Sequence, residues 1–151
     1  MKAMPQPVVV EEAETPLCAR ARFGCIVCGQ NNPYGLRIRF ERRNGREVIA
    51  AWTPTSAWEG FSGIIHGGVV SAVLDEAMSK AVVETRIEAL TAELRIRFRR
   101  RVTSGNGFVV RGWVVSLNKR LIRTEAALIA ADGAEHAHAW ATFLPLPHTR
   151  T

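Results

Sequence analysis

Chemistry in this chain concentrates at His66-Gly67-Gly68 and at Asp75, seven residues after the second glycine. A helix start leaves backbone N–H groups without helical partners, and glycine there lets a ligand approach them closely. N–H groups placed this way can polarise a carbonyl oxygen. A carboxylate on the same side could then activate water as a general base or attack directly. Taken alone, the same residues also describe a glycine loop, a helix start and a solvated acid.

The positioning element is a helix over residues 67–84. Val69, Val70, Val73, Leu74, Ala77, Met78 and Ala81 recur at i, i+3 and i+4, which marks one apolar face. Asp75 falls nearly opposite that face, on a stripe with Gly68, Ser71, Ala72 and Ser79, so it does not point into the main core. With a rise of roughly 1.5 Å per residue, it lies about 10 Å along the helix from Gly68. A bend or a second chain must narrow that gap. Glu76 is rotated by about 100° from Asp75, so only one of the two acids shares the glycine stripe.

Strands surround the helix in sequence. Leu36, Ile38 and Phe40 alternate with polar residues over 36–41, and Asn44-Gly45 turns the chain into a second strand at 47–53. Four more runs, 89–102, 107–117, 120–131 and 135–144, are separated by turn residues and should pair antiparallel. The order β-β-α-β-β-β-β, one long helix against a curled antiparallel sheet, is an α+β architecture. In the run after the helix, Ala92, Leu94, Ile96 and Phe98 make one face, and Thr91 and the charged residues make the other. Trp58 and Phe61, in the loop at 54–63, either wall a pocket or plug the helix end, with the plug favoured.

The chain has 151 residues with 47% hydrophobic content, which suits one domain at 25–145 with an arm at 1–24 and a tail at 146–151. No run approaches the roughly 20 apolar residues of a membrane span, and the prolines near the N-terminus break any signal core, so a cytoplasmic protein is expected. A formal charge of +6 favours a polyanionic partner. Nucleic acid is the weaker candidate, because the arginines alternate with core residues in strands and do not interleave with exposed aromatics. Cys18, Cys25 and Cys28 are too few and too odd in number for a disulfide framework. Cys25-x-x-Cys28 has zinc-ligand spacing without a second pair, and His136 and His138 lack a third ligand, so no metal is expected.

His66-Gly67-Gly68 followed by Asp75 resembles the signature of hotdog-fold acyl-CoA thioesterases of the phenylacetate-pathway type. The lead-in Cys25-x-x-Cys28-Gly29, Asn32-Pro33 and Gly35-Leu36 is similar to the one that precedes the first strand in many of those chains. The resemblance implies a hotdog fold whose sheet wraps around the helix. It implies that Asp75 is the catalytic base or nucleophile and that the Gly67 amide, with Gly68 beside it, polarises the thioester carbonyl. His66 then orders the loop, and Thr91 reaches the neighbouring subunit's site. Arg99, Arg100 and Arg101 are candidates to grip the nucleotide of coenzyme A, with Phe61 and Ser62 as further substrate contacts. A homodimer or homotetramer with the site at the seam is implied, and no cofactor.

One position departs from the family pattern. Some branches carry Asn or Gln six residues before the histidine, and here that place is Gly60. Either Thr91 and Ser62 take over its part, or the protein is a non-catalytic acyl-CoA binder of the same fold.

Overall fold

The computed structural model describes residues 24–147, which leaves Cys18, nearly all of the expected arm and most of the expected tail outside the described residues. Two strands, β1 (Glu41–Arg42) and β2 (Glu47–Trp52), precede helix α1 (Gly67–Val83). Four strands follow it: β3 (Ala89–Phe98), β4 (Phe108–Leu117), β5 (Ile122–Ala130) and β6 (Glu135–Pro145). All pair antiparallel in one six-stranded sheet of order β1-β2-β4-β5-β6-β3. This is the α+β arrangement expected from the sequence, a sheet wrapped on one long helix.

The turns between β4, β5 and β6 are short because side chains close them. Asn118 Oδ1 accepts from the N–H groups of Arg120 and Leu121, both at 2.9 Å. Asp132 Oδ1 accepts from Ala134 N–H at 2.9 Å, with Gly133 supplying a φ of 83°. Strand β3, which leaves the helix, lands on the far side of β6 and forms one edge of the sheet.

The inner face of α1 buries Val70, Val73, Leu74, Ala77, Met78, Ala81 and Val82 against the sheet. Full burial of a side chain such as Leu74 or Met78 stabilises the fold by about 1.5–3 kcal/mol. Small residues on the facing strands, Gly112, Ala126, Ala137 and Ala139, let the helix sit close. At Gly112 a Cβ would lie 2.3 Å from the Ala77 carbonyl oxygen, so the two backbones touch and no side chain fits.

Two expected strands differ from what folds. Residues 36–40 alternate in burial, with Ile38 in the core, yet only Glu41 and Arg42 pair with β2. The N–H groups of Leu36 and Ile38 bond to the Ile26 and Val27 carbonyls, and Arg37 at φ 55° breaks the extended run. Strand β3 stops at Phe98 rather than continuing to 102, because the N–H groups of Arg99 and Arg100 both turn onto the His136 carbonyl.

A register shift between Thr91 and Glu93 corrects the expected faces of β3. Thr91 pairs with Phe143, while Leu94, Ile96 and Phe98 pair with Ala141, Ala139 and Ala137, all inward-facing residues. The extra residue, Ala92, thus puts Thr91 on the helix side with Leu94 and Phe98, not with the charged residues. As an edge strand, β3 leaves Leu90, Leu94 and Phe98 exposed by 52%, 37% and 51%. Among the described residues no helix is long and apolar enough to cross a membrane.

Candidate active site

His66 caps α1. Its Nδ1 accepts the Gly68 N–H at 2.9 Å, so the ring carries its hydrogen on Nε2. Its carbonyl accepts from Val69 and Val70 at 2.9 and 3.2 Å. Among the described residues, the Gly67 N–H at the first helical position has no partner. The histidine ring lies so close that a Cβ on Gly68 would be 3.0 Å from Nδ1, and one on Gly60 would be 3.2 Å from Cδ2. Glycine at 60 is therefore coupled to the position of the His66 ring, and a larger residue there requires that ring to shift. The loop is held by His66 N–H on the Trp58 carbonyl and Ile65 N–H on the Val102 carbonyl, at 2.9 and 2.8 Å.

Gly67 and His66 line a cavity of about 680 Å³ together with Phe61, Phe98 and the run Arg99, Arg100 and Arg101. Arg99 Nε donates to Glu135 at 3.0 Å, whereas Arg100 and Arg101 have no carboxylate partner among the described residues. His136 fixes the run: its carbonyl accepts from Arg99 and Arg100, and its Nδ1 donates to the Arg101 carbonyl at 2.7 Å. Among the described residues, the cavity thus joins a backbone donor without a partner to two guanidinium groups without a carboxylate. Phe61, 82% exposed, walls this cavity, which corrects the expectation that it plugs the helix end. Trp58 packs against the core. Ser62 is exposed and lies outside the lining.

Asp75 stands apart from that cavity. Its Oδ1 accepts the Thr91 hydroxyl at 2.8 Å within the same chain, so Thr91 does not have to reach a neighbouring subunit to meet an acid. The bulge at Ala92 makes this contact possible by turning Thr91 toward the helix. Burial pushes the Asp75 carboxyl above its ordinary range, and the Thr91 hydroxyl partly offsets this. Glu76 turns away, toward Cys28 and Lys80. The structure therefore brings His66, Gly67, Phe61 and the three arginines together, and pairs Asp75 with Thr91, but does not join the two groups within one chain.

The model of the thioesterase superfamily matches residues 62–137, and the chain belongs to that superfamily. The closing pieces of its fold, the helix after His66-Gly67-Gly68 and the wrapped sheet, are those of the hotdog fold. A crystal structure of a thioesterase superfamily protein superimposes with a TM-score of 0.80 at 24% identity, covering 92% of this chain and 72% of that one. A Streptococcus pneumoniae hypothetical thioesterase with coenzyme A gives 0.69 at 14% identity, over 72% and 85% of the two chains. A hypothetical thioesterase of Streptococcus pneumoniae has also been solved with an aspartate and with a threonine replaced by alanine. The E. coli PaaI protein, from the phenylacetic acid degradation operon, gives 0.68 at 16% identity, over 72% and 83%. A comparison with curated proteins finds no match.

Proposed function

We propose that this protein hydrolyses an acyl-CoA thioester to the free acid and coenzyme A, in the cytoplasm. The observation that carries the reading is the Gly67 N–H, without a partner among the described residues, in a cavity that Arg100 and Arg101 also line. The N–H would take the thioester oxygen as negative charge develops on it. The arginines suit the phosphates of the nucleotide, and the neighbour solved with coenzyme A supports that ligand class. Asp75 would remove a proton from water as the water oxygen bonds to the acyl carbon. The carbon–sulfur bond then breaks, and the proton passes to the leaving thiolate. Direct attack by Asp75, giving a mixed anhydride that water then opens, uses the same residues.

A homodimer completes this site. The edge strand β3 carries Thr91 at one end and Phe98 at the other, and Phe98 Cζ lies 3.6 Å from where a Gly67 Cβ would be. Antiparallel pairing of two β3 strands, centred on Arg95 and with the Ala92 bulge taking up one residue, sets Thr91 of one copy opposite Phe98 of the other. It thereby brings Asp75 of one copy toward Gly67 of its mate and covers the exposed Leu90, Leu94 and Phe98.

Release of free thiol from short, long and aromatic acyl-CoAs tests the reaction, and binding without release would leave an acyl-CoA binding protein. Remixing inactive Gly67→Pro and Asp75→Ala chains tests the shared site. A 1:1 pool is about half heterodimer, each with one whole site, so about a quarter of the parent activity should return. With subunit exchange confirmed, a pool that stays inactive refutes the shared site.

A further inference from the structure

The loop before β1 and the helix beside Asp75 together make a second cluster of reactive groups, which the thioesterase reading leaves unused. Cys25 Sγ accepts the N–H groups of Val27 and Cys28 at 3.4 and 3.5 Å, and the Gly29 N–H closes the turn on the Cys25 carbonyl at 2.9 Å. A Cys-x-x-Cys turn folded this way aims backbone dipoles at its first sulfur and favours the thiolate. Glu76 reaches the same place from α1. The two sulfurs and a Glu76 carboxylate oxygen all lie within 4.8 Å of one another, and all three residues are half-buried.

We propose that Cys25, Cys28 and Glu76 bind a thiophilic divalent cation of the zinc class, which pins the 25–29 loop to α1 one residue after Asp75. Tetrahedral zinc holds sulfur and oxygen ligands about 3.5–3.8 Å apart, so closing the cluster onto the ion takes side-chain movement of about 1 Å. Two thiolates and a carboxylate select zinc over magnesium or calcium, which take oxygen ligands. Binding releases the thiol protons to solvent and leaves one excess negative charge on the ligand set. Lys80 Nζ, 3.8 Å from the Glu76 carboxylate, offsets that charge. The ion also gives the half-buried Glu76 carboxylate a strong partner, where among the described residues its ion-pair contact is Lys80 at 3.8 Å. Water can fill the fourth position. The site does not depend on the reaction proposed above.

The test is a Co²⁺ titration of the reduced full-length chain carrying Cys18→Ser, so that only Cys25 and Cys28 can supply sulfur. The expected result is a single Co²⁺ per chain with thiolate-to-cobalt charge-transfer absorption in the near ultraviolet. Zn²⁺ should displace it and raise the melting temperature. Glu76→Gln should retain the absorption at saturation but bind about tenfold or more weakly. Cys25→Ser and Cys28→Ser should each reduce or abolish it, and if they fail to fold, the Glu76→Gln affinity decides. Absence of charge transfer in the Cys18→Ser chain overturns the proposal. So does an unchanged affinity in Glu76→Gln.

Discussion

Gly67→Pro replaces the free N–H in the cavity with the Cδ of the proline ring. Gly67 is the first residue of α1, where proline is favoured because the missing N–H has no helical partner. His66, which would precede the proline, already has φ −57° and ψ 132°, the extended conformation that position requires. No hydrogen bond is lost, since the Gly67 N–H has no partner among the described residues. Loss of glycine's freedom in the unfolded chain should stabilise the variant by about 0.4–1 kcal/mol. Removing one oxyanion donor costs about 2.7–4 kcal/mol of transition-state stabilisation, so kcat should fall by about a hundred- to a thousandfold. Gly67→Ala keeps the N–H, and its Cβ meets Phe98 at an ordinary 3.6 Å, so it should behave much like the parent. Initial rates of thiol release and thermal melts by circular dichroism measure both effects. A folded Gly67→Pro protein that hydrolyses acyl-CoA within about tenfold of the parent rate would refute the role of this amide.

Asp75→Asn keeps an oxygen to accept the Thr91 hydroxyl but removes the charge, and kcat should fall by about a hundred- to ten-thousandfold. Because the folded protein raises the Asp75 carboxyl above its ordinary 3.8, the parent loses stability as pH climbs from there through the folded value. Melts across pH should therefore show the parent falling relative to Asp75→Asn through that window, with the full difference above it, so that Asp75→Asn is at least as stable at neutral pH; a less stable variant at pH 7 contradicts the burial argument. Replacing Arg100 and Arg101 with serine should raise KM for acyl-CoA about tenfold or more while sparing a truncated thioester without the nucleotide. Arg99 is left out because Glu135 already holds it, and equal losses on both substrates would point to damaged packing.

Local pattern carried much of the fold. The apolar spacing from Val69 to Ala81 marks α1 to within a residue of its observed end, since a helix face repeats whatever it packs on. Asn118 and Asp132-Gly133 place the turns of the β4–β6 meander for the same reason: their hydrogen bonds are made within a few residues. His66-Gly67-Gly68 was likewise legible as a helix start, because capping is local.

What the sequence could not decide depends on partners far along the chain. Period-2 alternation, extended back from Phe98, turns Thr91 outward; only pairing with β6 creates the bulge at Ala92 that turns it to Asp75. The alternation at Leu36, Ile38 and Phe40 predicts a strand, but the ladder forms only where a neighbour's N–H and C=O groups are free, and the 26–27 loop claims them first. Cys25 and Cys28 show two donors to a reader of the sequence, and folding adds Glu76 from the helix. The residue types for carbonyl chemistry are set by the sequence. Their division into a cavity at the start of α1 and an acid two turns along it is set by tertiary packing, because helix rise and sheet register, not residue order, fix the distances between them.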